Sequence, residues 1–168
     1  PVTLANYKKA QAKYTDILFW HISSFINNKS NEQILDIGCG VGLTTKKILD
    51  EGFNVDGLVP SSWMAKYANK LTKELQVNNK GKIYECMFED FPITNNMKKY
   101  DLVFFSESFQ YVNMQKAFDI IDKICNPNRV IIIFDFFRRD NIDGKSPLGG
   151  GHSIGKFYNL IKKNEYRI

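Results

Sequence analysis

Three glycines at alternate positions follow a short apolar run, and one carboxylate precedes them. Residues 34–42 read ILDIGCGVG, so that Asp36 stands directly before the turn. Glycine allows a tight turn and lets a ligand lie against the backbone. A phosphate loop would need GK followed by Ser or Thr, and a dinucleotide fingerprint would need glycine at position 43, which is leucine here. The turn therefore favours a cationic ligand over a pyrophosphate.

Other side chains that could do chemistry are dispersed along the chain. Cys39, Cys86 and Cys125 form no CxxC or CxxH pair, so the sequence predicts neither a metal site nor a disulfide framework. Reduced thiols are typical of a cytoplasmic protein. His21 lies among aromatic residues and is interpreted as structural, whereas His152 follows three glycines and can enter a pocket from a loop.

The glycine turn lies where a predicted strand passes into a predicted helix. Apolar runs predict strands at 33–37, 53–58, 82–87, 101–105 and 129–137. Helical spacing predicts helices over about 4–28, 44–49, 61–75, 118–125 and 153–163, with the 126–128 segment NPN closing the fourth helix. Strands that are apolar on both faces and alternate with helices indicate an α/β fold, a doubly wound and mainly parallel sheet with helices on both faces.

Two predicted helices carry aromatic or apolar stripes. The first, within residues 1–30, contains Tyr7, Tyr14, Phe19 and Trp20, and is interpreted as an N-terminal lid over a small apolar molecule. The third has an apolar stripe of Met64, Tyr67, Ala68, Leu71 and Leu75, with Ser61 or Ser62 as its cap.

Length and composition limit the function classes. The 168 residues predict one domain, residues 1–168, with the α/β core at 31–168. The net charge of +5 is spread over lysine pairs, so no nucleic-acid partner is favoured. No apolar run approaches the ~20 residues of a membrane span, and no signal pattern is present in the given sequence.

Five segments in this order resemble the class I S-adenosylmethionine-dependent methyltransferases. They are LDIGCGVG at 35–42, DGLVPS at 56–61, FEDFP at 88–92, YDLVFFS at 100–106 and NPNRVI at 126–131. The resemblance implies a Rossmann-like fold, S-adenosylmethionine as cofactor and methyl transfer to a small organic acceptor. In the family, the residue that corresponds to Asp36 helps to hold the cofactor's amino group. The cradle for the methionine moiety would comprise Gly38, Cys39, Gly40 and Gly42.

The same resemblance assigns the rest of the cofactor site. The acid that usually holds the ribose corresponds to Val59, which is a departure from the family pattern. Pro60 and Met64 would lie on the adenine, and Phe88 and Glu89 would lie at its edge. Ser106 would lie at the exit of the fourth strand, beside the methyl group.

The acceptor side departs from the family as well. Many small-molecule members have Glu-His-Val after the fourth strand, whereas Gln110 and Tyr111 stand there here. Glu107 or Tyr111 can polarise the acceptor instead, and His152 can reach it from its loop. A DNA amine methyltransferase would carry [DN]PP[YF] in this loop, and a carbon-5 enzyme would need a loop cysteine; the sequence has neither.

Two alternatives to a small-molecule enzyme stay open. Val59 and the missing histidine at 111 also fit a methyltransferase-like binding or scaffold domain without turnover, and the net charge alone suggests an RNA methyltransferase. The family sheet has strand order 3-2-1-4-5-7-6, of which this sequence predicts five strands. We therefore expect residues 130–137 to form a bare edge. It would be covered by about 30–60 further residues of a longer protein or by a second copy of the chain.

Overall fold

A computed structural model describes residues 3–26, 31–73, 81–141 and 150–168. The helices of these segments are α1 (Leu4–Phe25), α2 (Leu43–Asp50), α3 (Ser62–Thr72), α4 (Met114–Ile124) and α5 (Ile154–Lys163). The strands are β1 (Gln33–Ile37), β2 (Asn54–Leu58), β3 (Ile83–Tyr84), β4 (Tyr100–Ser106) and β5 (Cys125–Phe134). Short 3-10 turns occupy Phe88–Asp90 and Phe109–Tyr111.

The five strands form one parallel sheet in the order β3-β2-β1-β4-β5. The predicted doubly wound α/β fold is confirmed, and so is the strand order that the resemblance implied. Because all strands run the same way, Ile37, Leu58, Ser106 and Phe134 end at one edge of the sheet. Ligands bind at this carboxyl edge in open α/β sheets.

Helices cover both faces of the sheet. On one face, Leu18 and Ile22 of α1 and Ile48 of α2 pack on Ile34 and Phe104, all 1% exposed or less. The opposite face is covered by α4 and α5, whose buried residues pack on Leu35, Ile37, Val103 and Phe105. Leu18 and Ile22 make the second half of α1 a part of the core, and the interpretation of residues 1–30 as a lid stays a prediction.

The boundaries of β5 differ from the prediction. The strand begins at Cys125, directly after α4, and ends at Phe134 instead of Phe137. Pro127 lies where the ladder to β4 shifts register, a place where a missing backbone N–H does no harm. Within the described segments β5 pairs with β4 alone, so the expected sheet edge is found over residues 130–134. What covers this edge stays a prediction.

The buried face of α3 is also different from the predicted stripe. Ser61 caps the helix by accepting a hydrogen bond from the Met64 backbone N–H, as predicted. The residues buried along α3 are Ala65, Ala68 and Thr72, whereas Met64 and Tyr67 are exposed. Small side chains face inward because the glycine turn lies directly against this helix. Of the predicted apolar stripe, Ala68 is buried and Leu71 is half-buried, whereas Met64 and Tyr67 do not face inward; Leu75 lies outside the described residues.

Candidate active site

The glycine turn at the end of β1 has left-handed backbone at three positions. The φ angles are 84° at Gly38, 55° at Gly40 and 82° at Gly42. A Cβ on Gly38 would overlap Ser108, and one on Gly42 would lie 2.9 Å from the Ala68 Cβ. A Cβ on Gly40 would have nothing within 4 Å. Packing of the protein itself thus requires two of these glycines, and only Gly40 faces open space.

Asp36 lies under this turn and is almost completely buried, with 1% of its surface exposed. Its Oδ2 accepts a hydrogen bond of 2.7 Å from the Thr45 hydroxyl of α2. Burial raises the pKa of Asp36 to about 7, and the Thr45 hydrogen bond opposes this only in part. The carboxylate form is therefore poorly stabilised by the protein alone, and a cation nearby would stabilise it.

An apolar side chain occupies the end of β2. Val59 is 3% exposed and packs with Ala65, Ala68 and Ile83. Asp56, three residues earlier, accepts hydrogen bonds from the Tyr100 hydroxyl and the Lys82 backbone N–H, and so cannot take the place of an acid at 59.

The residues predicted along the adenine differ in exposure. Pro60 and Met64 are exposed next to the turn, as a ligand-facing position requires. Phe88 is 2% exposed and packs on Phe105 in the core, so its side chain is not available to an adenine edge. Glu89 accepts a hydrogen bond from the backbone N–H of Asn113, the cap residue of α4, at 2.9 Å.

Tyr14 of α1 reaches the end of β4. Its hydroxyl shares a hydrogen bond of 2.8 Å with the Ser106 hydroxyl and lies 3.4 Å from the Phe134 carbonyl oxygen. Glu107, the next residue, has a φ of 54°, a conformation that residues other than glycine and asparagine rarely adopt. Its backbone N–H donates to the Phe134 carbonyl at 3.0 Å, which fixes the turn.

A cavity of about 210 Å³ opens at this place. Its lining consists of Tyr14, Glu107, Phe134, Asp135 and Phe136. Asp135 accepts hydrogen bonds from the backbone N–H groups of Gln110 and Phe136, at 3.1 and 2.8 Å. Burial raises the pKa of Tyr14, and the nearby carboxylates of Glu107, Asp135 and Asp36 raise it further. The cavity is thus acidic and aromatic.

The remaining candidates lie outside this lining. Tyr111 is 76% exposed on its 3-10 turn. The Nε2 of His152 lies 2.9 Å from the Phe109 carbonyl oxygen, so this nitrogen donates and cannot act as a base. The Cys39 thiol is kept protonated, because burial and the nearby Asp36 raise its pKa. Of the three catalytic candidates, the structure brings only Glu107 to the cavity.

Four cavity residues were not among the predicted site residues: Tyr14, Phe134, Asp135 and Phe136. Asp135 carried a signal, since it is the one polar residue within an otherwise apolar run at 130–137. No sequence signal distinguishes Tyr14 from the other aromatic residues of α1, because its hydrogen-bond partner Ser106 is 92 residues away.

Metal-binding clusters and membrane-spanning helices are absent from the described residues. Among the described residues, no group of three or more His, Cys, Asp and Glu side chains is arranged to hold a metal ion. None of the helices in those segments has the length and apolarity needed to cross a membrane.

Comparisons with known proteins bear on this site. A family model described as a methyltransferase domain matches residues 35–133. The chain is 33% identical over 111 residues to malonyl-[acyl-carrier protein] O-methyltransferase 2 of Ilyobacter polytropus, covering 64% of this chain and 40% of that protein. It is 24% identical over 151 residues to a yeast protein described as a probable S-adenosylmethionine-dependent methyltransferase, CRG1, covering 90% of this chain and 51% of the relative. The chain thus spans about half the length, or less, of these relatives.

A solved structure shares the fold. The geranyl diphosphate C-methyltransferase of Streptomyces coelicolor, crystallised with S-adenosyl-L-homocysteine, superposes with a TM-score of 0.74 at 17% identity, covering 96% of this chain and 61% of that one. The sheet order, the glycine turn at its carboxyl edge and the family match over more than half of the chain agree. The chain belongs to the class I S-adenosylmethionine-dependent methyltransferases, a family whose cofactor is S-adenosylmethionine.

Proposed function

We propose that this chain is the catalytic domain of an enzyme that transfers a methyl group from S-adenosylmethionine to a small organic acceptor. The observation that carries the proposal is the open, left-handed turn at Gly40, beside the buried Asp36 and next to an acidic cavity. A turn without side-chain atoms can take a ligand against its backbone. The cavity next to it supplies room for a second molecule.

The residues at the turn fit S-adenosylmethionine. Gly40 leaves space for the methionine moiety, and Asp36 offers a poorly stabilised carboxylate to its ammonium group. The exposed Pro60 and Met64 would flank the adenine. When bound, the cofactor supplies a methyl group made electrophilic by a positively charged sulfur.

The acceptor would lie in the cavity at the ends of β4 and β5. At about 210 Å³ the cavity is smaller than the ~300–1,000 Å³ typical of sites for drug-sized ligands, which favours a small acceptor or one end of a larger one. The hydrogen bond between the Tyr14 and Ser106 hydroxyls fixes the position of Tyr14, which lines one side of the cavity. Glu107 would take the proton that the acceptor releases.

Binding of the cofactor product tests the proposal directly. Isothermal titration of the whole chain with S-adenosylhomocysteine should give saturable binding, and Gly40→Ala should weaken it about tenfold or more by occupying the open space. Gly52→Ala is the matched control, because Gly52 also has a left-handed φ, 86°, and open space around it, but lies in the turn between α2 and β2. Equal weakening by both variants would contradict the site assignment.

A domain that has the fold but no turnover is the second candidate. Val59 in an apolar cluster, where the family pattern has an acid, favours it. Losing a charged hydrogen-bonding group to the ribose would weaken binding by about 1.5–3 kcal/mol. Saturable binding of S-adenosylhomocysteine without methylation of any acceptor in a broad panel would support this candidate, and detectable transfer would exclude it.

A further inference from the structure

We propose that the cavity lined by Tyr14, Glu107, Phe134, Asp135 and Phe136 binds an acceptor with an amine, and that the amine nitrogen receives the methyl group. The inference rests on the proposed function and narrows its acceptor to one chemical class. Three aromatic rings and two carboxylates form this lining, which contains no lysine or arginine among the described residues.

The aromatic walls suit a cation. The rings of Tyr14 and Phe134 lie with centroids 4.7 Å apart, and Phe136 adds a third ring. Aromatic faces attract ammonium groups by about 0.5–2 kcal/mol, and more strongly where water is excluded. An apolar acceptor would also contact such rings, so it is the two carboxylates that favour a cationic acceptor over an apolar one.

Both carboxylates are held in place. Asp135 is fixed by hydrogen bonds from the backbone N–H groups of Gln110 and Phe136. Glu107 has an uncommon left-handed backbone whose N–H is anchored to Phe134, so its side chain is presented at the cavity. Strained backbone of this kind is concentrated at functional sites.

Other acceptor classes fit less well. A carboxylate or phosphate acceptor would meet two carboxylates, with no basic side chain among the lining residues that the structure describes. A hydroxyl acceptor is a poor nucleophile until it loses its proton, and of the predicted bases only the Glu107 carboxylate lies at the cavity, since the Nε2 of His152 donates to the Phe109 carbonyl. An amine that binds as an ammonium ion first gives up a proton, which Glu107 can pass to water, and the neutral amine that results is itself a nucleophile.

The charge balance of the transfer also favours an amine. The nitrogen lone pair forms the new N–C bond as the methyl–sulfur bond breaks, and the bonding pair stays on sulfur. The positive charge thereby moves from sulfur to nitrogen, next to Glu107 and Asp135. Glu107 can then accept the ammonium proton and release it to water. Electrostatic stabilisation at the place where charge develops lowers the barrier.

The test compares three probes of one shape. Benzylamine, benzyl alcohol and benzoate are titrated into the whole chain at pH 7.5 in saturating S-adenosylhomocysteine, so that the cofactor's own ammonium site is filled. We expect benzylamine to bind about tenfold more tightly than benzyl alcohol, and benzoate to bind most weakly. Mass spectrometry with S-adenosylmethionine should show the methylated product of benzylamine alone.

A matched pair of variants assigns the preference to the cavity. Glu107→Gln should lower the amine-to-alcohol ratio about threefold or more, with the carboxylate of Asp135 still in place. Glu165→Gln is the control and should leave the ratio unchanged. Glu165 also has a left-handed φ, 57°, but it follows α5 and lies next to Tyr166. The Tyr166 hydroxyl donates a hydrogen bond to Asp122, and neither residue lines the cavity. Thermal unfolding of both variants checks that they fold; if Glu107→Gln does not, the isosteric Asp135→Asn serves in its place.

Each remaining outcome is decisive. Equal binding of amine and alcohol, tighter binding of benzoate, or an amine preference that vanishes when S-adenosylhomocysteine is added would overturn the inference. Loss of the amine preference on addition of S-adenosylhomocysteine would mean that the carboxylates bind the cofactor and not the acceptor. If S-adenosylhomocysteine itself fails to bind, the proposed function fails, and that result is separate from the probe ratios.

Discussion

Replacing Asp36 by asparagine should stabilise the protein that has no ligand and at the same time impair ligand binding. Asparagine has nearly the same shape, and its carbonyl oxygen can still accept the hydrogen bond from the Thr45 hydroxyl. It carries no charge, however, so the penalty for burying a carboxylate disappears. The buried acid would thus be retained because it binds the ligand, although it lowers the stability of the fold, a compromise that is common at functional sites.

The size of the effect follows from the pKa of Asp36. Burial raises it from 3.8 to about 7, which corresponds to about 4 kcal/mol of destabilisation once the carboxyl is ionised in both states. Between these values the folded state holds a proton that the unfolded state has lost, so this group lowers stability as pH rises. The advantage of Asp36→Asn should therefore grow by about 1.4 kcal/mol per pH unit between pH 4 and pH 7, and then level off.

Urea unfolding of both proteins at several pH values between about 5 and 8.5 measures this difference. Asp119→Asn, an exposed carboxylate on α4, is the control and should change the free energy of unfolding by less than about 0.5 kcal/mol at every pH. A gap between wild type and Asp36→Asn that does not change with pH would refute the reasoning. S-adenosylhomocysteine should raise the melting temperature of the wild type more than that of the variant, because its ammonium group would stabilise the ionised Asp36.

Further predictions concern the neighbouring elements. Gly40→Ala and Gly52→Ala should each lower the free energy of unfolding by about 1–2 kcal/mol, because both positions have a left-handed φ that an L side chain disfavours, although neither new Cβ meets another atom; a loss at Gly40 that clearly exceeds the loss at Gly52 in urea unfolding would mean that Gly40 is needed for packing. Val59→Asp should destabilise the ligand-free protein by about 3 kcal/mol, because the site is 3% exposed, yet bind S-adenosylhomocysteine more tightly in titration; unchanged or weaker affinity would show that position 59 does not face the ribose. Leu18→Ala should cost about 2–5 kcal/mol in the same urea assay, and a loss below about 1 kcal/mol would show that α1 is not part of the core.

The fold was largely predictable because its signals are local or repeat along the chain. Ser61 marks the start of α3 by its side-chain chemistry, and the apolar runs mark strands buried on both faces. The buried face of α3 was not predictable in this way. Hydrophobicity assigns the inner face to Met64 and Tyr67, but the backbone of Gly42 approaches so closely that only a residue as small as Ala68 fits there. That constraint joins segments 26 residues apart and leaves no trace in helical periodicity.

The candidate site was predictable only along the glycine turn. Asp36 and Gly40 belong to a contiguous pattern, whereas the cavity is assembled from three separate elements. Tyr14 comes from α1, Glu107 follows β4 and Asp135 follows β5, so their proximity depends on the tertiary fold. His152 shows the reverse case: a histidine after glycines suggested a mobile catalytic group, but its ring bonds a backbone carbonyl and packs on the Phe109 ring.

Gly38, Gly40 and Gly42 have different surroundings, and this difference affects which of them can be substituted during evolution. Gly38 and Gly42 are required by contacts within the protein, with Ser108 and Ala68, and would be under purifying selection in any descendant that keeps the fold. Gly40 has no such contact and is held only by its left-handed φ, so a lineage that stopped using the cofactor would lose less stability by changing Gly40 than by changing the other two. Among paralogues of this chain, the middle glycine should therefore mark which copies still bind the cofactor, whereas the outer two record only shared ancestry.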